Sequence, residues 1–405
     1  MGSSLPIYCY CQLQFSKITW HLCLFKPYFG FIYTVLFFNR FSSGLYFMKN
    51  VLFVSNFFPS YKTPNFGTFV KTSAVQLESM GFHLDYSVVK SKYRGAKKLL
   101  EYIQFLIKTL SKLFFKNYHF CYVHYLTYST IPLCFALLFG VKFKFFINIH
   151  GDDLAGNRWI HKIMGLSSGY LLRKSTGIIV PSEHFRRILL TKFPSLLGDK
   201  IFVSPSGGVN VKYFFPMSID YTPESDSQKV FGFVSRIEEG KGWEDLLNAI
   251  EILPSNLNIK FVIYGSGNQE VMLNRKLASM TNRTYVHTFG GVTYEEMPKV
   301  FNSMDFFVFP THRESLGLVL LESMSCGIPT IVTKINPLID IVGDDYSLFA
   351  DVSVPKSLSE QILKCYKMKK EEYIEIKTKT LNLAYQYDSV KVSESLCEFI
   401  TGKLR

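Results

Sequence analysis

The chain has 405 residues and lacks the features of disordered proteins and of small proteins held together by disulfides or a structural metal. Its eight cysteines are scattered, with no C-x-x-C pair and no histidine cluster at zinc spacing. This favours a reducing compartment and predicts no structural metal. Charged residues make up only 19% and hydrophobic residues 48%, which excludes a disordered chain. The length instead predicts two or three globular domains.

The first 47 residues contain no acidic side chain and differ from everything after them. Their aromatic-rich apolar run, 27–38, is shorter than the roughly 20 residues that a membrane-spanning helix needs. A cleavage site of signal-peptide type is also missing. Met48 then opens a segment typical of a buried first strand. We therefore expect 1–47 to be a non-native extension upstream of the natural start, with a short membrane anchor as the alternative.

Positive charge is concentrated in the first half of the chain. Residues 1–200 hold 24 basic and 7 acidic side chains, whereas residues 201–405 hold 21 and 25, and together these give the net charge of +13. This asymmetry indicates that the first domain faces a polyanion or an anionic membrane surface.

From Met48 onward, short apolar runs alternate with longer amphipathic stretches. Strands are predicted at 51–55, 84–89, 120–124, 143–150, 177–180 and 201–204, and again at 230–235, 259–264, 285–289, 306–309 and 330–332. Predicted helices lie between the strands, and three more follow them. Residues 205–228 are rich in Pro, Gly, Ser and Asp and interrupt this alternation of strands and helices, which predicts an inter-domain linker. The pattern predicts an α/β fold of two doubly wound parallel sheets, with the active site in the cleft between them.

The densest chemical signal lies between 309 and 329. A strand is followed by a loop with Glu314 and Gly317, and a helix then begins near Leu318. The backbone N–H groups of such a helix start can bind a phosphate, and Glu322 one turn later can accept hydrogen bonds from a sugar diol. The alternative is that both glutamates are ordinary surface acids near a helix N-terminus.

A second signal follows the predicted strand 230–235. Arg236 stands at the carboxyl end of that strand, and Lys241 comes just before the next helix. Two fixed cations at this place suit a diphosphate that gains charge as its bond to a sugar breaks. Alternatively, both are solvated loop charges that pair with Glu238 and Glu239.

The segment 97–116 has the pattern of a basic amphipathic helix, with polar residues at helical spacing and a broad apolar arc. It either packs on the sheet with a solvated basic face or attaches peripherally to an anionic membrane. Nucleic acid is not expected, because no nucleic-acid motif is present.

Taken in order, these segments resemble the retaining glycosyltransferases of family 4, which have the GT-B fold. The similarity covers Met48 to the C-terminus. It rests on the motifs Phe58-Pro59 with Asn65 to Phe69, Ile149 to Asp153, Pro205 to Asn210, Ser235-Arg236 to Lys241-Gly242, Tyr264 to Gly267, and the two glutamates before Gly327-Ile328-Pro329.

The resemblance implies roles for particular residues. Catalytic roles fall to Glu314, which would hold the transferred sugar, to His150 near that sugar, and to Lys241 and Arg236 at the donor diphosphate. Donor binding falls to Arg236, Lys241, Glu322, Gly317, Leu318, Ser315, Gly67 and Gly265, with Glu322 on the ribose hydroxyls. Asp152 and Thr68 lie on the acceptor side. Without the neighbouring motif, His150 is better explained as a core histidine bonded to backbone.

The resemblance also implies a domain plan. Residues 48–210 would form the acceptor-side domain, 211–385 the nucleotide-sugar domain, and 386–405 a helix that returns to the first domain.

The implied reaction transfers a hexose, with retention, from a UDP- or GDP-sugar to a glycan or lipid-linked saccharide acceptor in cell-surface polysaccharide synthesis. No cofactor or metal is expected. The place of action would be the cytoplasm or the inner face of the cytoplasmic membrane. The alternatives are a non-catalytic scaffold and a GT-B synthase that uses a soluble sugar acceptor.

Overall fold

The computed structural model describes residues 49–61, 63, 66–91, 93, 95–151, 153, 165–218 and 227–405, which belong to one unit of the chain, Met48–Arg405. The expectation for residues 1–47 lies outside this part.

Twelve strands form two separate sheets within the described ranges. The first sheet contains β1 Lys49–Ser55, β2 Phe82–Val88, β3 Phe120–His124, β4 Phe145–Asn148, β5 Gly177–Val180 and β6 Ile201–Val203. The second contains β7 Lys229–Val234, β8 Ile259–Tyr264, β9 Val286–Phe289, β10 Phe306–Phe309, β11 Thr330–Thr333 and β12 Phe349–Ala350.

Both sheets are parallel and doubly wound, as the alternating pattern predicts. Their strand orders are β2-β1-β3-β4-β5-β6 and β12-β11-β10-β7-β8-β9, so each sheet begins with an inner strand, and later strands are added on both sides of it. The central strands are buried on both faces: the side chains from Val51 to Ser55 are all 0% exposed. Continuous apolar runs produce such strands because helices cover both faces of a parallel sheet.

The described helices connect and cover these strands. In the first half they are α1 Thr68–Ser79, α2 Ala96–Phe115, α3 Ile131–Leu138, α4 Gly165–Lys174 and α5 Glu183–Lys192. In the second half they are α6 Trp243–Ile252, α7 Glu270–Ala278, α8 Met297–Asn302, α9 Leu318–Ser325, α10 Leu338–Val342, α11 Pro355–Tyr366, α12 Lys370–Gln386 and α13 Ser389–Leu404. No helix in the described ranges has both the length and the apolar character to cross a membrane.

The last helix, α13, packs on the first sheet although it follows the second. Leu396 and Ile400 are buried in the same cluster as the side chains of β1 and β3. Phe399 stacks on Phe202 of β6, with ring centroids 4.8 Å apart. Asp388 caps the helix by accepting a hydrogen bond from the backbone N–H of Val390.

Two chain segments cross between the sheets side by side. Val209 in the first crossing donates its backbone N–H to the carbonyl of Tyr387, and Ser389 in the second donates to the carbonyl of Val209. Gly208 has φ of 72°, and a Cβ placed there would collide with the carbonyl oxygen of Tyr387. A glycine is therefore required where the two crossings touch.

Candidate active site

Two loops from opposite sheets meet at the carboxyl ends of their strands. Gly151 follows β4 of the first sheet, and Ser315 lies between β10 and α9 of the second. A Cβ built on Gly151 would collide with the hydroxyl oxygen of Ser315. The loops that carry His150 and Glu314 are thus in van der Waals contact, and the carboxyl edges of the two parallel sheets adjoin. This edge is where parallel α/β sheets bind ligands.

Lys241 and Glu314 form an ion pair at this edge. The Nζ of Lys241 lies 2.5 Å from Oε1 of Glu314, and the two side chains are only 17% and 15% exposed. Thr311 donates its hydroxyl to the same carboxylate oxygen at 3.2 Å.

Backbone contacts fix the loop of Lys241 against the end of β10. His312 donates its backbone N–H to the carbonyl of Gly240 at 2.9 Å. Gly242 has φ of 75°, and a Cβ there would overlap the carbonyl oxygen of Pro310. Beside this contact between the two loops, the Nε2 of His312 lies 2.5 Å from Oδ2 of Asp245 in the first turn of α6.

Arg236 pairs with a neighbouring glutamate, as in the alternative interpretation of the sequence. Its guanidinium pairs with Glu238 at 2.6 Å, and its side chain is 67% exposed. Lys241, by contrast, pairs with Glu314 rather than with Glu238 or Glu239. The two predicted cations therefore stand at the same loop in different environments, one held and one solvated. An exposed pair of this kind contributes at most about 1 kcal/mol, so Arg236 is free to exchange partners.

Helix α9 begins at the predicted place. Gly317 is its N-cap residue, with φ of 97° and ψ of 54°. A Cβ at Gly317 would lie 2.9 Å from the side chain of Leu338, so the left-handed turn and the close packing both require glycine. Leu318 opens the helix, and the first-turn N–H groups of any helix have no intrahelical acceptor. They provide hydrogen-bond donors and a positive dipole end beside the Lys241–Glu314 pair.

Glu322 lies one turn into α9 and is the most perturbed acid of the site. Among the described residues its carboxylate has no hydrogen-bond or ion-pair partner, and burial raises the pKa of Glu322 to about 8. Its charge also contributes to raising the pKa of Tyr294 to about 12, after the larger effect of burial. A half-buried carboxylate without a partner is poised to accept hydrogen bonds from a ligand.

His150 follows β4 and lies among aromatic side chains. Its ring centroid is 4.6 Å from that of Tyr125 and 4.8 Å from that of Phe69. Its Nε2 lies 2.9 Å from Nδ1 of His124 at the end of β3. Burial lowers the pKa of His150 to about 3, so the imidazole is neutral throughout the physiological range. The partner of His150 is therefore a side chain rather than the backbone.

The remaining predicted residues fall at three places. Gly67 is the N-cap of α1, with φ of 78°, and the first helical residue, Thr68, is exposed. Gly265 packs under the carbonyl of Ser235, where a Cβ would collide, so it supports the strand end that precedes Arg236. Asp152 lies outside the described residues.

Four residues that the sequence analysis did not single out also line the site: His124, Tyr294, Thr311 and His312. His124 ends a predicted strand, and the register of β3 and β4 places it opposite Asn148. The alignment of adjacent strand ends was therefore a usable signal for His124. Within the described residues, no three His, Cys, Asp or Glu side chains are grouped so that they would hold a metal ion.

Comparison with known proteins extends this description. Residues 218–380 match the family described as "Glycosyl transferases group 1". Over 134 residues the chain is 28% identical to O-antigen chain mannosyltransferase B of Escherichia coli, a match that covers 32% of this chain and 35% of that protein. Over 214 residues it is 27% identical to the capsular polysaccharide biosynthesis glycosyltransferase CapM of Staphylococcus aureus, covering 48% and 54%. The chain thus spans about a third to a half of the length of these relatives.

A solved structure shares the fold. The crystal structure of Anabaena Alr3699/HepE in complex with UDP and glucose superposes with a TM-score of 0.66 at 14% sequence identity, covering 87% of this chain and all of that one. The overall GT-B architecture expected from the sequence is confirmed.

Proposed function

We propose that this chain, whose residues 218–380 carry a group 1 glycosyl transferase domain, transfers a hexose from a nucleoside-diphosphate sugar to a glycan or lipid-linked saccharide. The observation that carries the proposal is the grouping at the start of α9. Glu314, paired with Lys241, precedes the open first turn of this helix, and the partnerless Glu322 follows one turn later. Together they offer donors for a diphosphate and an acceptor for sugar hydroxyls.

The proposed donor site follows from these groups. Lys241 has three N–H donors and gives one to Glu314, which leaves the others for the diphosphate. Arg236 exchanges Glu238 for the same diphosphate, and the N–H groups at Gly317 and Leu318 complete the set. Glu322 accepts hydrogen bonds from the ribose, one turn further along the helix.

The transferred sugar would lie between Glu314 and His150, the residues that the contact of Gly151 with Ser315 brings to the same edge. Charge stabilisation of the leaving diphosphate and the positioning of both substrates would supply most of the rate enhancement. Retention of configuration would follow a front-face path in which the leaving diphosphate takes the proton of the acceptor hydroxyl. Gly67, Gly265 and Ser315 would shape the backbone around the donor, and Thr68 and Asp152 would face the acceptor.

In this plan residues 48–210 form the acceptor-side domain and residues 211–385 the donor-side domain, with 386–405 returning to the first. The relatives in O-antigen and capsule synthesis support an acceptor that belongs to a cell-surface polysaccharide. The HepE complex supports a UDP-sugar as the donor, and a GDP-sugar is the other possibility tested below.

A thermal-shift experiment tests the donor site. The full chain is heated with UDP, GDP or ADP, with and without EDTA, since a ligand that binds only the folded state raises the melting temperature. We expect one nucleotide to raise it, EDTA to leave the shift unchanged, and Lys241→Ala to reduce it. Arg236→Ala should weaken the same response, whereas the matched exposed control Arg275→Ala on α7 should not.

The absence of a shift with every nucleotide, in a protein that melts cooperatively, would contradict the donor site and favour the non-catalytic scaffold. An undiminished shift in the double variant Arg236→Ala/Lys241→Ala would refute the diphosphate assignment while leaving nucleotide binding in place.

We further propose that α2 and α3 dock on an anionic membrane surface on the cytoplasmic side. Helix α2 buries only Phe105, Thr109 and Leu113 against the sheet. Several other apolar side chains of α2 are exposed, and this surface continues to the end of α3, where the ring of Phe139 lies 6.3 Å from that of Phe114. This exposed surface, the α2–α3 patch, comprises Leu99, Leu100, Ile103, Ile107, Phe114, Phe115, Phe135, Leu138 and Phe139.

The charge around the α2–α3 patch supports an anionic membrane as its partner. Lys97 and Lys98 flank it and are exposed, whereas Lys112 and Lys116 are held by Asp85 and serve the fold. Apolar side chains beside exposed lysines suit insertion into an anionic bilayer surface, where each cation contributes about 1 kcal/mol.

Sedimentation with lipid vesicles tests this docking. The full chain should pellet with vesicles that contain phosphatidylglycerol and stay in solution with pure phosphatidylcholine, and salt should weaken the binding. Leu100→Glu/Ile103→Glu should abolish it, while Met272→Glu, an exposed apolar position on α7, should not. Equal pelleting of all three proteins would contradict the role of the patch.

A further inference from the structure

His124 is a fully buried histidine that faces the candidate site residue His150. It ends β3, and its side chain is 0% exposed. The two imidazole rings are nearly parallel, with centroids 5.2 Å apart and planes inclined by 14°. The Nδ1 of His124 and the Nε2 of His150 are 2.9 Å apart, which is a hydrogen-bond distance.

One proton lies between these two nitrogens, and it belongs to one ring or the other. Burial lowers the pKa of both histidines, so both rings are neutral and each carries a single N–H. If His150 donates through Nε2, then the proton of His124 is on its own Nε2. If His124 donates through Nδ1, then the proton of His150 is on Nδ1.

The surroundings of His124 decide between these arrangements. Its Nε2 is buried and has no hydrogen-bond partner among the described residues. A proton there would be a buried donor without an acceptor, which proteins avoid more strictly than an unused lone pair. The first arrangement places a proton at that position, and the second leaves only a lone pair.

We propose that His124 is a positioning residue that donates its Nδ1–H to Nε2 of His150 and thereby holds the proton of His150 on Nδ1. The Nδ1 of His150 has no protein partner among the described residues, and its side chain is partly exposed. His150 therefore offers the cleft a fixed N–H donor and no basic lone pair.

This assignment deepens the proposed function and rests on it for the identity of the ligand. An N–H donor at His150 would bind a hydroxyl oxygen of the transferred sugar and orient the ring. It would not take a proton from the acceptor, which agrees with a path in which the leaving diphosphate does so. The rings of Phe69 and Tyr125 pack beside His150 and limit the orientations of its imidazole.

Nitrogen NMR of the ring atoms tests the proposal without substrate. The full chain is labelled with ¹⁵N-histidine, which gives nine side chains to resolve, and His150 is assigned by the loss of its signals in His150→Gln. Long-range proton–nitrogen correlation distinguishes a protonated ring nitrogen from a bare one. We expect His150 to show a protonated Nδ1 and a bare Nε2, and His124 to show the same pattern.

Two variants separate positioning from mere packing. His124→Phe keeps a ring but removes the donor, and it should release His150 into a mixture of both forms. His124→Asn places an amide N–H near the lost Nδ1, and it should restore the Nδ1-protonated form of His150.

A proton on Nε2 of His150 in the unmodified protein would overturn the proposal, even if His124→Phe fails to fold. An unchanged His150 pattern in a folded His124→Phe variant would do the same. Because no nucleotide or sugar enters the measurement, its failure is distinct from a failure of the thermal-shift test of the donor site.

Discussion

Glu322→Gln should stabilise the protein, and the gain should grow as the pH rises. Burial without a partner raises the pKa of this carboxyl from 4.5 to about 8. A group whose folded-state pKa is raised contributes full stability below its unfolded value and loses it as the pH rises through the folded one. Glutamine stays neutral, so the variant escapes this loss.

The pKa difference sets the size of the effect. Each unit corresponds to about 1.4 kcal/mol, so the variant gains at most about 3 kcal/mol at pH 7 relative to its behaviour at low pH. Above pH 9 the gain levels off near 5 kcal/mol, because both states of the wild type are then ionised. At pH 5 the difference falls below about 1 kcal/mol. Any cost of burying the amide itself is the same at every pH and only offsets the curve.

Urea unfolding at pH 5, 7 and 9, followed by circular dichroism, measures the difference between the two proteins. Other titrating groups are common to both and cancel. Glu360→Gln, on an exposed position of α11, serves as a matched control and should differ from wild type by less than about 0.5 kcal/mol at every pH. A difference for Glu322→Gln that does not grow from pH 5 to pH 9 would refute the reasoning.

The other predictions concern packing and ion pairs. Gly242→Ala should destabilise by at least 2 kcal/mol in urea unfolding, because its Cβ would overlap the Pro310 carbonyl at positive φ. Lys241→Met and Glu314→Gln should each lower the free energy of unfolding. The loss in the double variant should be smaller than the sum of the two single losses, by about 1 kcal/mol or more. Losses that simply add would contradict the ion pair. Asp85→Asn should cost about 1–3 kcal/mol at pH 7. Burial alone would raise the pKa of Asp85, but hydrogen bonds from Lys112 and Tyr118 outweigh it and lower the pKa, so the cost should shrink as the pH falls below the ordinary aspartate value. An unchanged cost at pH 3 would contradict this.

Much of the fold was predictable because buried parallel strands appear as uninterrupted apolar runs. Strands 120–124, 177–180, 259–264 and 306–309 begin and end where the sequence predicts. The strand predicted at 143–150 is shorter in the structure, 145–148, because the two residues at each of its ends belong to the connecting loops. Helices α8 and α10 and strand β12 went unpredicted, since five or six helical residues, or two in a strand, show no hydrophobic period.

The candidate site was predictable in its members and not in its pairings. The sequence marks Lys241 and Glu314 separately, but they are 73 positions apart in the chain, and local spacing favours Glu238 or Glu239 as the partner of Lys241. Only the contact of the β7 and β10 strand ends brings the actual partner into reach. The missing partner of Glu322 is likewise a property of three-dimensional surroundings, which a sequence motif does not record.

These surroundings divide the ionisable groups of the site into two kinds. Lys241 and Glu314 satisfy each other, so the folded protein holds them in place before any ligand binds, and removing either leaves the other partly buried and unpaired. Glu322 has no partner among the described residues, so burial of its charged form costs stability, which a ligand with hydroxyl donors would offset. The same division explains why Glu322→Gln should stabilise the free protein while weakening the donor complex. The carboxylate of Glu322 would gain its hydrogen bonds in the donor complex, and it has none in the free protein among the described residues.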